Sequence, residues 1–236
     1  TVLNVKNGGN MKKILSAALA AYPLLSAESA LLVRKGETPD YASIVHSAAA
    51  GAPVTSVIPS VQVDTDKTGV RSVTLTAKNS LGNELVKKVD VIVYESAEPL
   101  SALEPVAEGS SSFAKREVSL CMGGEERAFA DGIYIKANGT ISLHFDISGT
   151  GARYFSAKYG IDKSIRDNQP WGMYANATFR VYADGVLLFE RSGVGWKTDY
   201  GAIAVLLPEG TRALTLEVTD TSGQGGTGWG DCTLYA

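Results

Sequence analysis

Three stretches in the second half of the chain, two of them glycine-rich, hold aromatic side chains beside polar ones. "DNQPWGMYAN" (167–176) carries Trp171 and Tyr174, "SGVGWKTDYG" (192–201) carries Trp196 and Tyr200, and "GGTGWGDC" (225–232) carries Trp229 and Asp231. An aromatic ring between strands has two uses. It can anchor a loop or a core, or it can offer a flat face to the C–H side of a sugar ring while Asp, Asn, Lys or Arg bond the hydroxyls. Trp171 fits a loop anchor at one end of a sandwich as well as it fits a platform. Trp229, at the start of the last predicted strand, fits core packing as well as stacking.

Other chemistries lack their parts. The chain has two histidines, His46 and His144, one in each predicted domain. His144 alternates with Leu143 and Phe145, which turns it outward from a strand. No Ser-His-Asp arrangement is suggested, and no His/Cys spacing suits zinc. Asp162, Asp184 and Asp220 fall at strand ends or turns, where Asp is expected for backbone reasons. No catalytic residue is therefore assigned. Cys121 and Cys232 are the only cysteines, one in the first and one in the last predicted strand of the second half. Terminal strands of a closed sandwich are often neighbours, so a disulfide and two buried thiols both fit.

The elements that must position these residues are strands. From residue 30 onward the sequence alternates with period two. Val73, Leu75 and Ala77 fall on one face, Val89, Val91 and Val93 on one face of the next strand, and "DKTGV" and "NSLGN" supply turns. The tract "SAEPLSALEPVAEGSSS" (96–112) combines prolines and serines without clear periodicity and reads as a boundary. Beyond it come "ISLHFDI", "YFSAKYGI", "ATFRVYADGVLLFE", "ALTLEVTD" and "CTLYA", with Asp184-Gly185 as a hairpin turn. At the other end, "MKKILSAALAAYPLLSAESA" (11–30) has the layout of an export signal, but ten residues precede its Met11. Ile14, Leu15, Ala18, Leu19 and Tyr22 recur at helical spacing, with Asn10 to cap and Pro23 to stop, so the adopted reading is a short amphipathic helix. The start at Thr1 suggests a piece of a longer polypeptide.

Composition sets the bounds. An apolar content of 44%, a charged content of 20% and 236 residues suffice for one or two cores. A net charge of −3, with no basic run beyond Lys-Lys, argues against nucleic acid as a partner. No apolar stretch is long and clean enough to span a bilayer as a helix. The expected organisation is a lead segment with a short helix (1–27), a first sandwich (28–96), a linker (97–112) and a second sandwich (113–236).

The second half resembles the NPCBM type of carbohydrate-binding module, carbohydrate-binding module family 51. The resemblance rests on Gly132-Ile133 opening a strand, "HFDISG", "YFSAKYGID", "FRVYADGVLLFERSGV" and Trp229-Gly230-Asp231, in order. It departs from the family pattern twice. Where the pattern reads Gly-Ile-Gly-x-His-Ala, this chain has Tyr134 at the second glycine and Lys136 at the histidine. Where it reads His-Ala-Asp-Trp-Ala-Asp, this chain has Gly226 to Asp231, without the histidine or the first aspartate. The first half is similar, more weakly, to bacterial Ig-like domains, through "VDTDKTGVRSVTLTAKNSLGNELVKKVDVIV".

The resemblance implies an all-β chain of two β-sandwiches, an Ig-like one followed by one of jelly-roll, galactose-binding-like type. It implies a non-catalytic, secreted or cell-surface bacterial fragment that targets a parent glycoside hydrolase, in cis, to galactose-containing glycans. Trp229, Asp231, Lys136 and Tyr134 are the implied carbohydrate-binding residues, and the loop aromatics Trp171 and Trp196, read from the sequence itself, are the next candidates. No cofactor is required, a structural calcium is a possibility taken from family habit, and a monomer is expected. The competing expectation is an adhesion or protein-interaction module that has lost its sugar site.

Overall fold

The computed structural model describes residues 25–47, 52–109, 112–122, 125–166, 175–195, 201–220 and 226–236. The helix expected over residues 11–22 lies outside them. The chain divides into two compact units, residues 1–93 and 94–236.

The first unit holds β1 (Leu25–Ala27), β2 (Ala30–Arg34), β3 (Val45–Ser47), β4 (Val54–Pro59), β5 (Gly69–Asn79) and β6 (Glu84–Tyr94). β1 pairs with β3, and the others form a four-stranded sheet in the order β2-β6-β5-β4. The expected alternation holds: Val73, Leu75, Val89, Val91 and Val93 are buried with Leu31, Val33, Tyr41 and Ile44. "NSLGN" makes the β5–β6 turn. Gly82 takes φ +80°, and Asn79 Oδ1 accepts from the backbone N–H groups of Leu81 and Asn83 at 3.1 and 3.0 Å.

The second unit contains β7 (Ala97–Pro99), β8 (Val106–Gly109), β9 (Ser112–Lys115), β10 (Val118–Met122), β11 (Glu125–Phe129), β12 (Gly132–Lys136) and β13 (Gly139–Asp146). It continues with β14 (Tyr154–Asp162), β15 (Ala177–Ala183), β16 (Val186–Val194), β17 (Gly201–Leu206), β18 (Ala213–Asp220) and β19 (Thr227–Tyr235). The larger sheet runs β11-β10-β14-β19-β12-β9, with β17 also on β14 and β7 also on β19; the smaller runs β16-β15-β18-β13-β8. Period-two alternation gives each sheet one apolar face. Ile133, Ile135, Phe155, Ile161, Trp229 and Leu234 from the larger sheet share a core with Ile141, Leu143, Phe145, Phe179, Leu216 and Val218 from the smaller. The outer face of the smaller sheet is polar. There Arg180 bridges Glu190 and Glu217 at 2.6 and 2.9 Å. The Asp184-Gly185 turn has φ of +46° and +80°, as a two-residue type I′ hairpin requires.

The tract expected as a linker is part of this unit. β7 pairs with the end of β19, and β8 with β13. Leu100, between them, is fully buried in the core. Pro99 is tolerated because β7 is a three-residue edge strand. Short edge strands punctuated by proline and serine leave too little alternation to be recognised. A fragment of residues 94–236 should therefore unfold cooperatively, whereas 113–236, cut at the expected boundary, should be weakened. Loss of Leu100 alone is worth about 2–5 kcal/mol. Equal urea midpoints for the two fragments would contradict this.

Of the two readings of Cys121 and Cys232, the structure has the buried thiols: both side chains are buried and are not joined. Cys121 lies beside Ile161 of β14 on the β10 side, and Cys232 is on β19, along the other edge of β14. With a strand between them, the two Cα atoms are at least about 9 Å apart, beyond the reach of a disulfide.

Candidate functional site

β12 and β19 run antiparallel in the register Gly132↔Gly230, Ile133↔Trp229, Tyr134↔Gly228 and Ile135↔Thr227. Continued by one residue, the register sets Lys136 across from Gly226. The two motifs singled out in the sequence are therefore neighbours. Ile133, Ile135 and Trp229 point into the core, so Gly132, Tyr134, Lys136, Gly228 and Gly230 belong to the outer face. The end of this strand pair is where the chain passes between the two sheets. Lys136, Asp162, Gly201 and Thr227 lie at that end of the larger sheet, and Gly139, Ala177, Val194 and Asp220 at that end of the smaller.

Trp229 is not a platform. Its exposure is 0%. The indole stands edge-on to Phe179, ring centroids 5.0 Å apart, and lies 6.0 Å from Tyr159. A ring walled on both sides by the core cannot stack on a ligand. Its Nε1–H is buried without an acceptor among the described residues. Burial likewise pushes the Cys232 thiol far up, with the Asp231 charge adding to it, so this sulfur is a packing group.

The outer face beside Trp229 is a floor of glycines, and the β10–β11 hairpin sits on it. A Cβ on Gly132 would meet Val118 Cγ2 at 2.5 Å and the Arg116 carbonyl at 2.7 Å. One on Gly228 would meet Leu120 at 3.0 Å, and one on Gly230 would meet the Phe129 ring at 2.5 Å. Val118, Leu120 and Phe129 form a separate apolar cluster here, with Tyr134 packed against it. Nothing in the "TGWG" spelling announces such a floor.

Asp231 has a backbone reason for its position. The β14–β19 register shifts between Ser156 and Lys158, opposite Thr233 and Gly230, and Asp231 takes φ +47°. This bulge lets Trp229 and Cys232, three residues apart, both face inward. Partial burial raises the Asp231 carboxyl above its ordinary value; Lys158 opposes the rise and Asp131 adds to it. A raised carboxyl pKa means that ionisation is disfavoured in the folded state. The penalty is absent below the unfolded value of 3.8 and complete once pH exceeds the folded value. Asp231→Asn should thus be more stable than the parent at neutral pH, and the gap should close as pH falls toward 3.8. Thermal melts across pH check this; a gap that widens in acid contradicts it. Because Asp231 stands beyond Gly230 and Lys136 beyond Ile135, the two are about 16 Å apart along the strands. One sugar ring does not touch both.

Tyr134 and Lys136 remain as accessible members of the expected set. Tyr134 is half-buried and Lys136 exposed. On the neighbouring strand β9, Ser112 is paired with Lys136 and Ala114 with Tyr134. Just past β9, the Arg116 guanidinium lies over the Tyr134 ring, 4.1 Å from its centroid. Sequence reasoning missed Arg116. Its one signal is period two: 112, 114 and 116 share a face opposite 136, 134 and 132.

Trp171 and Trp196, with Tyr174 and Tyr200, lie outside the described residues. Among the described residues no group of three or more His, Cys, Asp or Glu could hold a metal ion. His144 Nδ1 is 2.9 Å from Thr215 Oγ1 on the outer sheet face, and its Nε2 lies 3.4 Å from Glu108 without a hydrogen bond. At the opposite end of the sandwich an open cavity of about 520 Å³ is lined by Asp146, Ser148, Arg212 and Ala213. Hydrogen bonds from Ser148 hold the Asp146 carboxyl below its usual value. No helix among the described residues is long and apolar enough to cross a membrane.

Comparison with known proteins places this geometry. A structure of the CBM51-2 and INT domains of Clostridium perfringens ZmpB superposes with a TM-score of 0.64 at 18% identity, over 90% of this chain and 48% of that one. The chain thus spans about half the length of that structure. The CBM51 module of Clostridium perfringens GH95, solved with methyl-galactose, matches at 24% identity and a TM-score of 0.51, over 59% of this chain and 99% of that one. Tandem CBM51 modules of a family 98 glycoside hydrolase from Streptococcus pneumoniae match at 22% identity and 0.51, over 66% and 56%. At these identities the likeness shows the fold. No curated protein matches the chain. The NPCBM/NEW2 domain matches residues 95–235, which takes in every strand from β7 to β19. By that match, which covers more than half its length, the chain belongs to the NPCBM/NEW2 domain family.

Proposed function

We propose that residues 94–236 are a non-catalytic glycan-binding module, with its site on the outer face of β9 and β12 and the adjoining sandwich end. The observation that carries this reading is the β12–β19 register, which brings the two family motifs together and sets exposed Lys136 beside half-buried Tyr134 on one face. Its task is attachment. Holding a parent enzyme near its polysaccharide raises the local substrate concentration without new chemistry. The parent is a secreted bacterial glycoside hydrolase, and the first unit an Ig-like spacer. Galactose-containing glycans are the favoured ligands, supported by the methyl-galactose in the GH95 module; N-acetylglucosamine, present in a second ZmpB structure, is the natural comparison.

A single shallow site should bind weakly, with Kd on the order of 0.1–1 mM. Calorimetric titration of the chain with methyl-galactose and with N-acetylglucosamine tests the reading. Saturable binding weakened by Tyr134→Ala supports it. Absence of binding to these sugars and to a glycan array would favour an adhesion or bracing module. Reducing-sugar release by the chain itself would overturn non-catalytic status.

A further inference from the structure

We propose that this face selects acidic sugars, those bearing a carboxylate or a sulfate ester, through Arg116 and Lys136 on either side of Tyr134. The inference rests on the glycan-binding reading and names its ligand class.

Charge pairing comes first. In this unit Lys115 pairs with Glu104, Arg153 with Glu209 at 3.7 Å, Lys163 with Glu126 at 2.9 Å, and Arg180 with Glu190 and Glu217. Arg116 and Lys136 have no carboxylate within 4.0 Å among the described residues. In a chain of net charge −3, two unneutralised cations on one strand face form a local reversal of sign.

The geometry suits an anion. The Arg116 guanidinium carbon lies over the Tyr134 ring, 4.1 Å from its centroid, and its Nη1 donates to the Glu117 carbonyl at 3.1 Å. Ring contact and tether together hold in place a group with five N–H donors, most of which lack a protein acceptor among the described residues. A fixed, planar fork is the arrangement that grips carboxylate or sulfate oxygens in pairs. Lys136 rises two residues farther along β12, about 7 Å from Tyr134. Its neighbours across the strands are Ser112 and glycine at 226, so neither cross-strand neighbour shields it with a bulky side chain. The ammonium can therefore reach a ring hydroxyl or a third anionic oxygen of the same sugar. A neutral sugar offers the same cations hydroxyl acceptors but no opposite charge, and so compensates their desolvation less. The acidic pair Asp131 and Asp231 stands about 16 Å from Lys136, about two Debye lengths at physiological salt, and leaves that ammonium's charge standing; Asp131 adjoins Gly132, across from Arg116, and offsets part of the guanidinium's charge.

The test titrates the full chain with three probes under identical conditions: galacturonic acid, galactose 6-sulfate and galactose. At least one acidic probe should bind roughly ten-fold more tightly than galactose at low salt, and lose that advantage as salt rises from about 50 to about 300 mM. The two acidic arms tell carboxylate from sulfate. Arg116→Gln and Lys136→Gln should each remove most of the preference for the acidic probe over galactose, with the melting temperature unchanged. Equal affinity for acidic and neutral probes, or a preference untouched by both substitutions, would overturn the inference while the glycan-binding reading stands. Absence of binding by all three probes and by N-acetylglucosamine defeats both.

Discussion

Replacing Trp229 by alanine should cost the second unit about 3–5 kcal/mol, the usual loss for a large buried aromatic, with no separate effect on ligand contacts. The indole is fully buried between Phe179 and Tyr159, and its Cα lies on the strand that joins β12 to β14. The cavity left behind would be lined by rings that cannot collapse without moving β15 or β14. Trp229→Phe should cost much less. It retains an aromatic edge for Phe179 and removes an N–H that is buried without an acceptor, a group whose desolvation is worth about 1–3 kcal/mol. Urea unfolding followed by far-UV circular dichroism orders the three proteins. A Trp229→Ala protein as stable as the parent, or a Trp229→Phe protein as damaged as the alanine variant, would contradict this assignment of the ring to the core.

Gly132→Ala should destabilise by about 3 kcal/mol, an unusual loss for adding one methyl group. The added carbon would stand 2.5 Å from Val118 and 2.7 Å from the Arg116 carbonyl. A side chain can rotate away, but Arg116 N–H donates to the Gly132 carbonyl at 3.0 Å, so the backbone oxygen is held against this strand. The hairpin must lift to admit the methyl. Gly149→Ala, where nothing lies within 4 Å of the new carbon and φ is not in the left-handed region, is the control and should change stability little. A Gly132→Ala melting temperature within a degree of the control would show that the hairpin is not seated as described.

The strands were legible wherever burial enforced alternation. Val73, Leu75 and Ala77, the β13 run and the Asp184-Gly185 hairpin could be read directly, because one buried face writes itself with period two. The resemblance carried the family, and the pairing of its two motifs followed. What stayed hidden depends on tertiary partners. Leu100 sits among prolines and serines, and its burial is decided by β13 and β19 rather than by its neighbours in sequence. Trp229 and Asp231 look like a platform with a polar companion. A bulge at Asp231, invisible in a string of residue types, turns one inward and isolates the other. Arg116 was passed over because its partner, Tyr134, is eighteen residues away and meets it only across two strands.

The most direct test of the central claim is a titration of the uniformly ¹⁵N-labelled chain with methyl-galactose, galacturonic acid and N-acetylglucosamine, followed by amide shift changes. The expected result is saturable shifts for at least one sugar, concentrated in Ser112–Arg116, Gly132–Lys136 and glycines 226 and 228, with the cavity at Asp146 and Arg212 unaffected. Shifts confined to that cavity, or no saturable shift with any of the three sugars, would contradict a glycan site on this face.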